Sequence, residues 1–479
     1  MLTPSVAGQS TDVIATRDLR VLVLRTLMPG FVGLTVPSWL SEAIEGGLGS
    51  VCLYGSNVEN QDQLRDLCSQ LHRPGRRLTL AVDEEGGDVT RVHHRTGSPQ
   101  PGNAVLGRLD DVAGTWASAW EIGAELAELG IDLDLAPVVD VNSCDANPVI
   151  GTRSFGSDPV LVARHGAAWI EGLQASGVAA CAKHFPGHGD TMSDSHLTLP
   201  VATVPEEVLR ERELLPFRVA IDSHVACVMS ATIVVPSVDP EAAATFSSTF
   251  LQGVLRRELG FTGVIVSDAL DMAAASAETG VPQAAVRALI AGCDLLCLGS
   301  DTPQALLERI VAAVLQAVKT GRLPVERLRD AADAVDRLSS RPAAATAAPA
   351  RGALRVADAF DLSRVARSWI NGGGNAVLVQ VESSTNMAVG DVPWGPAAAG
   401  LTVDEAQVGT ADRVAVVGRN IDVGHPAWDV ATRFRNEGKA VIVVECGWPR
   451  GGADVVVRSG SPEVARHLAT TLQVPPPIR

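Results

Sequence analysis

The stretch Val178-Ala-Ala-Cys181-Ala-Lys183-His184-Phe-Pro186-Gly187-His188-Gly189-Asp190-Thr-Met-Ser-Asp194-Ser-His196 decides how this chain of 479 residues is read. A short apolar run ends in a lysine and a histidine. Pro186 and two glycines then punctuate a segment holding two more histidines and two aspartates. That is the pattern of a buried strand handing over to a loop rich in titratable groups. Further on, Gly263-Val-Ile-Val-Ser-Asp268-Ala-Leu-Asp271-Met272 repeats it, an apolar run ending in a carboxylate where the chain leaves a sheet.

Working outward, apolar runs at 32–36, 50–54, 78–82, 133–137, 178–182, 225–229, 264–266 and 295–298 alternate with helical patterns at 61–72, 116–129, 160–176, 205–221, 248–259, 283–291 and 325–338. Strand–helix alternation predicts parallel strands joined by crossovers, because parallel neighbours cannot be linked by a tight turn. The fold class is α/β, and eight strands predict a closed (β/α)8 TIM-like barrel over 1–340. Residues 341–354, which include Arg341-Pro-Ala-Ala-Ala-Thr-Ala-Ala-Pro-Ala350, have the small residues and prolines of a linker. Strand patterns at 376–379, 414–417, 441–444 and 455–457, with helices at 428–438 and 462–472, predict a smaller α/β sandwich-type domain over 355–479.

Composition narrows the function. Lys plus Arg number 39 against 55 Asp plus Glu, a net charge of −16 that would repel a phosphate backbone, so nucleic acid is not an expected partner. Aromatic residues are 4% and Tyr54 is the single tyrosine, which leaves burial to Ala, Val and Leu. The N-terminal residues lack a basic start followed by an apolar core, and no apolar run reaches membrane-spanning length, so the expectation is a cytoplasmic protein with no membrane partner. The eight cysteines show no CxxC spacing and several lie in apolar runs, which points to free buried thiols.

The active face of a barrel is at the carboxyl ends of its strands. Polar residues at those ends are Asp83 with Glu84 and Glu85, Asp140, Lys183 with His184, Ser230 with Thr232, and Asp268. Asp194 and His196 stand two apart, so in an extended segment the carboxylate can face the ring and set its tautomer. A local loop bond made by Asp194 is the alternative. Asp268 is placed either to act as a rigid nucleophile or to cap a helix continuing through Asp271. His184 and His188 have the spacing of a zinc helix, but Pro186 and Gly187 interrupt it and no HExxH glutamate is present. No metal is expected, and no cofactor. The Gly187-His-Gly189 string is not a phosphate loop, since GxxxxGK[ST] is absent.

Five strings, Asp83-Glu-Glu-Gly-Gly-Asp-Val-Thr-Arg91, Gly151-Thr-Arg153-Ser-Phe-Gly156, Lys183-His-Phe-Pro-Gly-His-Gly189, Asp194-Ser-His196 and Val266-Ser-Asp268-Ala-Leu-Asp-Met272, occur in this order. In them the sequence resembles the family 3 glycoside hydrolases, in their β-N-acetylglucosaminidase branch. The resemblance implies an exo-acting retaining hydrolysis of terminal β-linked N-acetylglucosamine, with Asp268 as nucleophile and a His196–Asp194 dyad on a mobile loop as acid/base. It implies that Asp83, Arg91, Arg153, Lys183 and His184 bind the hydroxyls and N-acetyl group of the first sugar. The partner it implies is a small N-acetylglucosamine-containing carbohydrate.

The residues fit that chemistry. Retaining enzymes pair two carboxyl groups about 5–5.5 Å apart, and here an imidazole would replace the proton-donating one. Lys183 and Arg153 are expected to offset nearby acids and keep Asp268 ionised, and Gly187 and Gly189 to let the loop hinge. The resemblance departs at two places: Thr232 stands where a histidine is frequent, and Asp88 where arginine is common. The C-terminal unit is expected to matter more for stability than for chemistry. Two other functions fit the same residues: a β-N-acetylglucosaminide phosphorylase, whose neutral imidazole would not repel phosphate, and a sugar-binding sensor without turnover.

Overall fold

The structure, a computed structural model, describes residues 16–72, 77–194, 198–340, 346, 354–383 and 386–477. Its first part is a ring of parallel strands: β1 (Leu27–Met28), β2 (Ser50–Leu53), β3 (Thr79–Val82), β4 (Leu133–Asp134), β5 (Ala179–Phe185), β6 (Cys227–Ser230), β7 (Val264–Val266) and β8 (Leu296–Cys297). β2 to β7 pair in chain order and β1 pairs with β8. A Val266–Leu295 bridge joins β7 to β8, and the Cys52 N–H donates to the Pro29 carbonyl at 3.0 Å beside β1 and β2, so the barrel closes.

Alternation along the strands explains the closure. Cys52, Ala81, Cys181, Cys227, Val266 and Cys297 form one buried cluster inside the ring. Their neighbours Val51, Leu53, Leu80, Val82, Ala180, Ala182, Val228, Ile265 and Leu296 belong to a second cluster, shared with helix residues such as Leu67, Ile122, Ile170, Phe217 and Leu289. Period-two side chains on strands buried on both faces produce these two layers. Each fully buried Leu, Val or Ile is worth about 1.5–3 kcal/mol relative to exposure. The helices start where local chemistry favours them: before Pro159–Ala175, the Asp158 side chain accepts the Val160 N–H and Pro159 fills the first turn.

Several expectations need correction. Residues 32–36 form no strand: Val32 is 62% exposed and Gly33 takes φ +115°, while the first strand lies earlier, at the fully buried Leu27 and Met28. The helix expected at 205–221 is interrupted by a π-helical turn, Leu209–Glu213, and the one at 248–259 is π-helical over Thr249–Glu258. Lys183 and His184 belong to β5 itself rather than to the loop after it.

The second part carries β9 (Asp361–Leu362), β10 (Ala376–Gln380), β11 (Arg413–Gly418), β12 (Ala440–Glu445) and β13 (Val455–Val456) in the order β10-β11-β12-β13-β9, with β9 antiparallel at the edge. Ala415, Val417, Ile442 and Val444 face the helices Arg364–Asn371 and Pro462–Leu472, whereas Val414, Val416, Val441 and Val443 face Pro426–Asn436. The sheet is therefore sandwiched between helices. Val105, from the barrel part, packs into the first of these layers. Of the linker expected at 341–354, all but Thr346 and Leu354 lies outside the described residues.

Candidate active site

The inward parity of the strands continues past their carboxyl ends. Two residues beyond Cys52, Ala81, Cys181, Cys227, Val266 and Cys297 stand Tyr54, Asp83, Lys183, Met229, Asp268 and Gly299, and all six line one cavity of about 410 Å3. Glu85, one further step along from Asp83, lines it too. A strand's alternation thus turns a run of small and apolar residues into a polar floor as soon as the barrel interior opens.

On that floor lies a buried ion network. Lys183 Nζ is 2.6 Å from Asp83 Oδ1 and 2.7 Å from Glu85 Oε1. Arg153 grips the same Glu85 with two bonds, Nε to Oε2 at 2.9 Å and Nη2 to Oε1 at 2.8 Å. Burial alone would push the Asp83 carboxyl up, but Lys183 and Arg91 outweigh it and hold it below the usual carboxylate range. The same contest, with Arg153 and Lys183 prevailing over burial, holds Glu85 well below that range. Lys183 is raised because its two carboxylates overcome the cost of burial. These cations therefore neutralise Asp83 and Glu85, the nearby acids of the expectation drawn from the sequence. Asp268 Oδ1 accepts the Ala269 N–H at 2.9 Å, and the next helix begins only at Ala273 after Met272, so Asp268 is not a helix cap.

Asp140 organises the neighbouring wall. Its carboxylate accepts the His184 Nδ1–H at 2.7 Å and the His188 N–H at 2.7 Å. Burial would raise this carboxyl, but His184 holds it down. The His188 ring pairs through Nδ1 with the Thr191 hydroxyl at 2.8 Å, and burial lowers its basicity. Gly187 and Gly189 are not free hinges. A Cβ on Gly189 would lie 1.7 Å from the Val141 carbonyl, and one on Gly187, at φ +127°, 2.8 Å from the Glu213 side chain. The glycines let the turn 186–191 pack against the barrel.

Six of the expected residues, Asp83, Arg91, Arg153, Lys183, His184 and Asp268, line the one cavity. Asp194 is half-buried, outside the lining, and its carbonyl accepts the Thr198 N–H at 3.0 Å. His196 lies outside the described residues. Thr232 is fully buried with its hydroxyl 3.3 Å from that of Thr245. Among the described residues, no three His, Cys, Asp or Glu side chains converge as a metal site.

Sequence reasoning missed one wall entirely. Residues 387–390, from the second part of the chain, line the cavity beside Arg91. Arg91 Nη2 donates to the Ala388 carbonyl at 2.7 Å, and Asn386 ties the turn down through Nδ2 to the Pro148 carbonyl at 2.9 Å and Oδ1 to the Val389 N–H at 3.0 Å. Asp88 also gains an explanation. Its carboxylate accepts the Thr152 hydroxyl at 2.7 Å and the Gly460 N–H at 2.9 Å, and lies 3.4 Å from Arg419 Nη1, all at the junction of the two parts. No pattern in 386–390 or 419 pointed to either role.

Residues 35–338 match the glycosyl hydrolase family 3 N terminal domain. Beta-hexosaminidase A of Pseudoalteromonas piscicida is 33% identical over 334 residues, which cover 64% of this chain and 56% of that protein; the chain thus spans little more than half of that relative. A beta-hexosaminidase of Alkalilimnicola ehrlichii is 38% identical over 275 residues, 55% of this chain and 77% of the relative. Among solved structures, a glycoside hydrolase family 3 beta-N-acetylglucosaminidase from Paenibacillus sp. str. FPU-7 superposes with a TM-score of 0.80 at 29% identity, covering 95% of this chain and 96% of that one.

Proposed function

The chain belongs to glycosyl hydrolase family 3, an enzyme family acting on carbohydrates, and from that premise we propose that it is an exo-acting retaining β-N-acetylglucosaminidase. Relatives named beta-hexosaminidase and the two-part structure named beta-N-acetylglucosaminidase support this substrate class. The observation that carries it is the cavity in which Asp268 shares walls with the Asp83–Lys183–Glu85–Arg153 network and His184.

In this reading, Asp83, Lys183, Arg153, His184 and Arg91 hold the hydroxyls and N-acetyl group of a terminal sugar. Asp268 attacks the anomeric carbon and forms a glycosyl ester. His196, oriented by Asp194, protonates the departing oxygen and then takes a proton from water, which hydrolyses the ester. Rigid charge pairs suit a polyol, because donors and acceptors already fixed in place need no reordering when the sugar binds. Water is the favoured acceptor over phosphate, since Lys183 and Arg153 are both committed to carboxylates.

We also read 1–340 as the catalytic domain, 341–354 as a linker and 355–479 as a second domain. The eight free thiols support a reducing, cytoplasmic setting. The test of the chemistry is mass spectrometry of protein quenched with a slow 5-fluoro glycosyl fluoride of N-acetylglucosamine. An adduct on the peptide bearing Asp268 is expected; an adduct on another residue, with Asp268→Ala still forming it, refutes the assignment.

A further inference from the structure

One buried acid beside the site takes no part in this chemistry. Glu213 ends the π-helical turn Leu209–Glu213 and its side chain is 1% exposed. π-Helical turns widen a helix locally and recur at functional sites. This one brings consecutive residues to the base of the loop that leads to His196. Arg212 Nη2 donates to Asp190 Oδ2 at 2.6 Å, and its Nε donates to Glu213 Oε1 at 2.6 Å. Glu213 Oε2 is buried and has no hydrogen-bond partner among the described residues. It faces the backbone at Gly187, where an added Cβ would lie 2.8 Å from it.

An ionised carboxylate with one oxygen buried and unmatched is unfavourable. The charged groups facing Glu213 are Arg212 on its own element, Asp190 on the turn and Asp140 after β4, and both aspartates oppose a second negative charge. The imidazoles of His184 and His188 are engaged by Asp140 and Thr191 respectively.

We propose that Glu213 is the positioning residue of the acid/base loop: while its carboxyl carries a proton, the turn 186–191 packs on it with Arg212 bridging Glu213 to Asp190 as a clamp, and when it ionises, the buried unmatched oxygen against Gly187 and the repulsion from Asp140 and Asp190 release the clamp. The catalytic consequence rests on the assignment of His196 given above; the clamp itself does not. Burial, only partly offset by Arg212, pushes the Glu213 carboxyl up to about 7, so the change falls in the neutral range. The protonated fraction then drops from about nine-tenths at pH 6 to about one-tenth at pH 8.

The experiment is amide hydrogen exchange of peptides covering 186–194 in the full chain at pH 6 and pH 8, with rates normalised to the intrinsic rate at each pH. The wild type is expected to lose protection at pH 8. Glu213→Gln, isosteric and unable to ionise, keeps its protection at both pH values, and Asp190→Asn has low protection at both. Protection indifferent to pH in the wild type, or lost to the same extent in Glu213→Gln, overturns the clamp. In parallel, kcat for a chitobiose-type disaccharide is followed against pH. Its alkaline fall is expected to move upward in Glu213→Gln; profiles that coincide while exchange differs overturn the link to His196 and leave the clamp standing.

Discussion

Replacing Lys183 by methionine removes the central cation of the buried network while roughly keeping its volume. At 2.6 and 2.7 Å from two carboxylates, the ammonium has a gross attraction of about 6 kcal/mol to each at an effective dielectric of 20, most of it offset by desolvation. Glu85 keeps its two bonds from Arg153, so the stranded group is Asp83. Removing one partner of a buried pair costs about 3–5 kcal/mol. The sign of the pH dependence follows from the direction of each shift. In the wild type, Asp83 is held below its unfolded value, a contribution present above the unfolded carboxylate range and lost as pH falls through the folded value. In the variant, burial is left unopposed by Lys183 and raises Asp83, so stability is lost as pH rises through the range between its unfolded and folded values. The first effect lies below pH 5 and does not change between pH 5 and pH 8, so the second makes the deficit larger at pH 8 than at pH 5, by about 1.4 kcal/mol per pH unit within its range. Urea unfolding followed by fluorescence of the eight tryptophans measures it at both values. A deficit of equal size at pH 5 and pH 8, or one below about 1 kcal/mol at pH 8, would refute the network as described.

Two further perturbations concern the junction of the two parts. Arg419→Met strands Asp88, both side chains being 4% exposed, and removes the stacking of the guanidinium on Trp394; a cost of about 3 kcal/mol is expected, with thermal scans splitting into two transitions where the wild type shows one. An unsplit transition at the wild-type midpoint would contradict this. Asn386→Ala removes two hydrogen bonds that seat the 386–390 turn, worth about 1–2 kcal/mol, and frees Arg91 from Ala388; steady-state kinetics should show KM raised on the order of tenfold with kcat little changed. A fall in kcat alone would mean that the turn does not serve ground-state binding.

Much of the barrel was legible because its strands are buried on both faces and read as apolar runs. Seven of the eight expected runs overlap a strand, and only 32–36 failed, where Val32 is exposed and Gly33 takes a left-handed φ just past the buried strand Leu27–Met28. The floor of the site was also encoded, in the parity that carries Ala81 to Asp83 and Cys181 to Lys183. Reading strand ends alone located these residues and the expectation that Lys183 offsets nearby acids, but not which ones, Asp83 and Glu85. Gly187 and Gly189 misled for a related reason: glycine signals either freedom or close approach, and only the carbonyl of Val141 and the side chain of Glu213 decide between them.

What sequence could not supply is the long-range part of the mouth. The five strings that carry the family resemblance lie within the residues matched to family 3, whereas Met387, Ala388, Val389 and Gly390 lie outside them yet line the same cavity. Asp88 departs from the common arginine at the point where this chain places Arg419 against it, so the charge lost from the barrel loop is returned by the second part. On the proposed reading, the first sugar is held by residues of the barrel. The added turn presents Met387, 65% exposed, at the rim of that pocket. An apolar side chain there has little to offer a hydroxyl but can pack against the acyl or ring face of a bound ligand. On that reading the second part is a component of the binding site as well as a support, and exchanging residues 386–390 should change which ligands are accepted while leaving the catalytic residues untouched.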